Sequence, residues 1–198
     1  MHELLRWLGP LFPWLPRILF GVAVVAAAWS LSRRRVPWAR VALVNSLEGT
    51  VCGLILGPLA AMLAEKSVRL LEITTQIGSQ GGTLARDLVA SLGAGIFEEL
   101  FFRLFLLTLL VLLLARACDV FAVPRAVATA AAILIAAFVF ALFHHIGPGA
   151  PRVEIPVLLF RTSAGTLLGA LFVARGFGVC VWAHAAYDVH YFLTHQHG

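Results

Sequence analysis

The sequence predicts an all-α fold: a polytopic membrane helical bundle of about six transmembrane helices plus short interfacial helices, forming one domain over 1–198. Three observations carry that expectation. Hydrophobic residues make up 61% of the chain and charged residues only 13%, against roughly 45–50% and 25% in soluble domains. The apolar residues gather into runs close to the ~20 needed to cross a hydrocarbon core. Lipid offers no hydrogen bonds to exposed backbone, so open sheet edges cannot span it and helices must.

In chain order, Leu4, Leu5, Trp7 and Leu8 with Arg6 and Trp14 read as a short helix lying at the headgroups. The run from Ile18 to Leu31 lacks a small-residue cleavage site before Arg33-Arg34-Arg35, so a retained first span over 14–32 is expected rather than a signal peptide. Further spans are expected at 41–64, 86–114, 124–146, 156–174 and 178–195. Pro58, Pro124 and Pro156 mark ends or kinks. The mixed segment from Glu65 to Gly82 suggests an interfacial helix and a loop. Gly49, Gly53 and Gly57, and Gly165 with Gly169, recur every four residues; they are packing faces rather than sites, because small residues let helices approach closely in lipid.

The net charge of +5 does not indicate nucleic acid. The basic residues stand at the ends of apolar runs, and no basic stripe alternates with exposed aromatics. Arg33, Arg34, Arg35 and Arg40 crowd the first loop, which is therefore expected in the cytoplasm, with both termini outside. Lys66 is the sole lysine among the basic residues, which together with the Ala, Leu, Gly and Val content suggests a bacterial protein of the inner membrane. Cys52, Cys118 and Cys180 lie far apart, without disulfide or metal spacing, and read as small core residues.

Chemistry is concentrated in three places. In the third run, Glu98, Glu99 and Arg103 interrupt an otherwise apolar helix. Each such charge costs at least about 2.5–3.5 kcal/mol at the bilayer centre, so they must face protein or water and offset one another. Glu99 and Arg103 are four apart and share a face; Glu98 is turned about 100° away. One carboxylate is thus neutralised and the other left available. In the fourth run, Phe140 precedes His144 and His145, which point in different directions, and Gly147-Pro148-Gly149 ends that helix near a membrane surface. In the last run, His184 and Asp188 share a face. His190, His195 and His197 follow, the last two expected to be exposed and outside the chemistry. Glu48 and Arg161 read as isolated charges that snorkel or pair, not as catalytic groups. Intramembrane ionisable groups of this kind converge on a hydrated, protein-lined cavity. A carboxylate beside a histidine can activate water, and donors opposite can stabilise an oxyanion.

Glu98-Glu99-x-x-x-Arg103, Phe140-x-x-x-His144 and His184-x-x-x-Asp188, in that order, resemble the signature motifs of the CAAX prenyl endopeptidase and bacteriocin-processing (CPBP, or abortive-infection) family of intramembrane proteases. The resemblance covers about 84–195. It implies that Glu98 is the general base, assisted by His144. It also implies that Glu99 and Arg103 support the site or orient substrate, and that His184 and the residue at 188 bind the oxyanion. Many members carry Asn where this chain has Asp188; an ionised Asp cannot donate to an oxyanion, so Asp188 is expected to orient His184 instead. No cofactor is expected. Zinc held by two His and a Glu is the disfavoured alternative, since Arg103 already answers the second glutamate. Eukaryotic relatives remove a tripeptide from prenylated C-terminal motifs, which implies as partners the bilayer and the C-terminal tail of a membrane-associated or exported protein, free or lipid-modified. Two other classes fit the residues less well: a non-catalytic scaffold or immunity protein on the same fold, and a proton-coupled transporter, which the missing inverted repeats disfavour.

Overall fold

A computed structural model of the chain describes residues 18, 21–22, 25–26, 29–30, 36–70, 93, 95–146 and 152–195. The chain divides into two compact units, Met1–Leu43 and Val44–Gly198. In the first, Ile18, Gly21, Val22, Val25, Ala26, Trp29 and Ser30 are helical and exposed. The expected headgroup helix before Trp14, the arginines 33–35, Gly147-Pro148-Gly149, His197 and the side chain of His195 lie outside the described residues, as does most of the expected first span.

The described residues are helical, with no strand among them. Helix α1 spans Trp38–Leu70. A π-helical stretch, Glu99–Leu107, runs directly into α2, Thr108–Val120. Helices α3, α4 and α5 span Arg125–Phe143, Ile155–Arg175 and Phe177–His195. Proline sets two of the starts: Pro124 caps α3 and Pro156 lies in the first turn of α4, where a missing N–H costs nothing. Between α4 and α5, Gly176 takes φ +86°, a value that favours glycine, and turns the chain back on itself.

Among the described residues four helices are long and apolar enough to cross a membrane: Trp38–Ser67, Gly95–Val120, Arg125–Phe143 and Ile155–Arg175. The expectation of six spans is corrected accordingly among the described residues. The last expected span is present as α5, but His184, Asp188, His190 and two tyrosines dilute its apolar surface. The start of the segment expected as an interfacial helix and loop is instead the end of α1, which continues through Glu65-Lys66-Ser67 to Leu70; its remainder, 71–82, lies outside the described residues. Pro58 lies inside that helix.

Small residues bring the helices of the second unit together. A Cβ on Gly49 or Gly53 would strike Trp182 Cβ or the carbonyl oxygen of Ala183, so α1 rests directly on the backbone of α5. Gly165 and Gly169 bring α4 against Ala137 and Ile133 of α3 in the same way. Ala128, Ala132, Ala136, Ala137 and Ala141 line the buried side of α3. Large apolar residues such as Phe105, Leu112, Leu113 and Leu134 face outward, as lipid permits. The glycines are the packing faces that their spacing implied.

Candidate active site

The π-helical stretch presents the first motif. Its i→i+5 ladder changes how successive side chains are aimed, and such turns are frequent at functional sites. Thr108 Oγ1 donates to the carbonyl of Arg103, five residues back, at 3.3 Å. Regular α-helical geometry was the expectation for this segment; the backbone differs. Phe102, almost fully buried, seats the stretch on α3 through edge-on contacts with Phe140 and Phe143, at 5.2 and 5.4 Å between ring centroids.

A sealed layer of the site surrounds Glu99. Its carboxylate has no exposure and lies 3.1 Å from Arg103, itself 2% exposed. His184 Nδ1 is 2.7 Å from Oε1. A carboxylate only accepts, so Nδ1 carries the proton and donates. The thiol of Cys180 donates to Oε2 at 2.9 Å. A charge this deep is tolerated only when paired and hydrogen-bonded, and three side chains from two elements meet that need. The guanidinium of Arg103 also lies 4.5 Å over the ring of Phe140, a cation–π contact.

An open layer adjoins it. Glu98 Oε1 lies 3.6 Å from His144 Nε2, and Glu98 Oε2 lies 3.9 Å from His184 Nε2. These distances exceed a direct hydrogen bond but are within the reach of one shared water. His144 donates from Nδ1 to the carbonyl of Phe140 at 2.9 Å, which turns Nε2 toward Glu98. Asp188 Oδ1 lies 3.8 Å from His184 Nε2. The side chains of Glu98, His144 and Asp188 are 19%, 25% and 18% exposed, so solvent or substrate can reach this layer and not the one behind it. Gly95 flanks it; a Cβ there would stand 3.7 Å from Asp188 Oδ2 and 3.8 Å from His184 Cγ.

All six residues singled out from the sequence therefore meet in one cluster, drawn from the middle of the third run, the C-terminal cap of α3 and α5. One expected relationship changes. Glu99, rather than Asp188, orients His184, because Glu99 is within hydrogen-bond distance of Nδ1 and Asp188 is not. The sequence reading also missed one contributor and gave no role to another. Cys180, expected as a small core residue, precedes His184 by four positions on one helix, a spacing that signals a shared face. Phe140 supplies both the carbonyl that holds His144 and the ring under Arg103. Glu48 proves to be paired, bidentately, with Arg175 at the far end of α4. Arg161 approaches His145.

The family model for type II CAAX prenyl endopeptidase, Rce1-like, matches residues 81–190, just over half of the 198-residue chain. The chain belongs to the Rce1-like family. The matched region begins ahead of the π-helical stretch and ends beyond Asp188, so it contains both layers of the site. This Rce1-like chain is accordingly an integral membrane protein of a CAAX-type intramembrane endopeptidase family. No curated protein and no solved structure matches it.

Proposed function

We propose that the Rce1-like chain hydrolyses a peptide bond near the C-terminus of a membrane-associated or exported protein, with water activated by Glu98. The observation that carries this reading is the placement of Glu98 between His144 and His184, at 3.6 and 3.9 Å, in the layer that solvent can enter. A general base must reach its proton directly or through one water, and this carboxylate can hold a water jointly with His144.

Water gives one proton to Glu98 while its other O–H donates to His144 Nε2, held in place by the Phe140 carbonyl. The water oxygen bonds to the scissile carbonyl carbon, and the carbonyl oxygen becomes an oxyanion. His184, fixed through Nδ1 by Glu99, in its imidazolium form turns Nε2–H toward that oxyanion. The C–N bond then breaks as the proton on Glu98 passes to the departing amine. Glu99 and Arg103 act through His184 and are positioning residues. Asp188, on the Nε2 side, supplies a second donor when protonated.

Zinc would need Glu98, His144 and His184 as ligands. Among the described residues no three His, Cys, Asp or Glu side chains are arranged to hold a metal ion, and no step of the proposed reaction passes through one. The membrane we assign is the inner membrane of a bacterium, in keeping with the arginine-rich, alanine- and leucine-rich composition. The test is to express wild type and Glu98→Ala beside a candidate substrate and follow its C-terminal fragment. Loss of the processed product supports the protease; an unchanged biological phenotype with Glu98→Ala would instead indicate a scaffold.

A further inference from the structure

Arg161 is a half-buried cation that this mechanism does not use. It lies in α4, about 9 Å along the axis from Ile155. Arg103, Arg125 and Arg175 each meet a carboxylate at ion-pair distance. Among the described residues Arg161 meets none. Its guanidinium meets His145, whose Nε2 lies 3.5 Å from NH1. A guanidinium can only donate, so that imidazole nitrogen accepts and brings no negative charge. A lone guanidinium inside a membrane helix is costly, and a snorkelling side chain would carry it to the interface. This one turns instead toward the end of α3, where His145 adjoins His144, and it lies within electrostatic range of Glu98 and Tyr187.

We propose that Arg161 receives the terminal carboxylate of the substrate's tail, so that the enzyme measures its cut from the free end of the chain. The inference rests on the reading of Glu98 as the base. A carboxylate is the anion whose two oxygens match the planar fork of a guanidinium. It would supply the missing countercharge only while substrate is bound. A tail held there by its last residue carries its final peptide bonds past His144 and Glu98. Cleavage then releases a short peptide whose own carboxylate is still on Arg161, leaving the membrane-bound portion to diffuse away.

The test uses the full chain in nanodiscs with a prenylated peptide ending in a free carboxylate and its carboxamide twin. Wild type should favour the acid by about 10–100-fold in kcat/KM, the range of one lost charge-assisted contact. In Arg161→Met that ratio should fall to near one, while Arg161→Lys, which keeps the charge, should retain part of it. An acid preference that survives in Arg161→Met would overturn the proposal, as would a wild type without preference. A preference that depends on anionic lipid in the disc rather than on the peptide end would also overturn it, and would assign Arg161 to a headgroup. The same pair of peptides is compared by binding to Glu98→Gln. Acid-selective binding that needs Arg161 supports the proposal even where cleavage is absent, so failure of the base reading and failure of this inference are told apart.

Discussion

His184 is held by Glu99: its Nδ1 lies 2.7 Å from Oε1, and that oxygen also faces the guanidinium of Arg103 at 3.1 Å. The imidazole that faces Glu98 therefore depends on a carboxylate that substrate never meets. Glu99→Ala should remove the orientation of His184 and strand Arg103 without a countercharge. Breaking one side of a buried pair costs about 3–5 kcal/mol. Thermal unfolding in detergent should show a large loss of stability, and peptide cleavage should vanish with it. Glu99→Gln, which still accepts from Nδ1, should lie between; a Glu99→Ala protein as stable as wild type would refute this role.

Cys180 offers a milder perturbation of the same carboxylate. Its thiol donates to Glu99 Oε2 at 2.9 Å. Cys180→Val should lose that donor and lower stability by about 1.5–3 kcal/mol, the worth of a hydrogen bond to a charged group. Cys180→Ser keeps a donor and should recover most of the loss. Chemical unfolding of the two variants side by side reads the difference.

Asp188 separates hydrogen bonding from negative charge. In the proposed reaction it helps the oxyanion only as a donor. Asp188→Asn should keep kcat within about tenfold, whereas Asp188→Ala should lose about 100-fold or more, in the range for one oxyanion donor. Equal losses in the two variants would show that the charge itself is needed.

The glycine face between α1 and α5 bears on whether the site is assembled at all. Gly53→Ala places a methyl against the carbonyl of Ala183, with the Ala186 methyl also close. Overpacking of this kind costs typically about 1–3 kcal/mol. Gly93→Ala, with nothing within 4 Å of the added carbon, is the matched control and should be nearly neutral. Unfolding midpoints measured in one detergent compare them.

Much of this site was legible in the amino-acid sequence. Charges in an apolar run must be explained by chemistry or pairing, and their spacing put Glu99 with Arg103 and His184 beside Asp188 on shared faces. The ordering of the three motifs then pointed to the family. What spacing could not give was distance across helices. Glu99 and His184 are 85 residues apart, so nothing local showed that Glu99 would displace Asp188 as the partner of Nδ1. Cys180 was hidden because a thiol looks apolar until a carboxylate is set against it. The π-helical backbone of Glu99–Leu107 left no mark in composition, since its residues are ordinary helix formers and aromatics. Among the described residues, α5 drops out of the span count because it exchanges apolar surface for the side chains that build the site.

The proposed chemistry turns on Glu98 activating the water that breaks the peptide bond. Its most direct test is a single-turnover cleavage of a prenylated peptide in H2(18)O by wild type and Glu98→Gln. General-base action should place the heavy oxygen in the new C-terminal carboxyl of the product and leave Glu98 unlabelled, and Glu98→Gln should slow the reaction by about 100-fold or more while folding normally. A Glu98→Gln protein that cleaves at the wild-type rate, or label recovered in the Glu98 side chain, would contradict it.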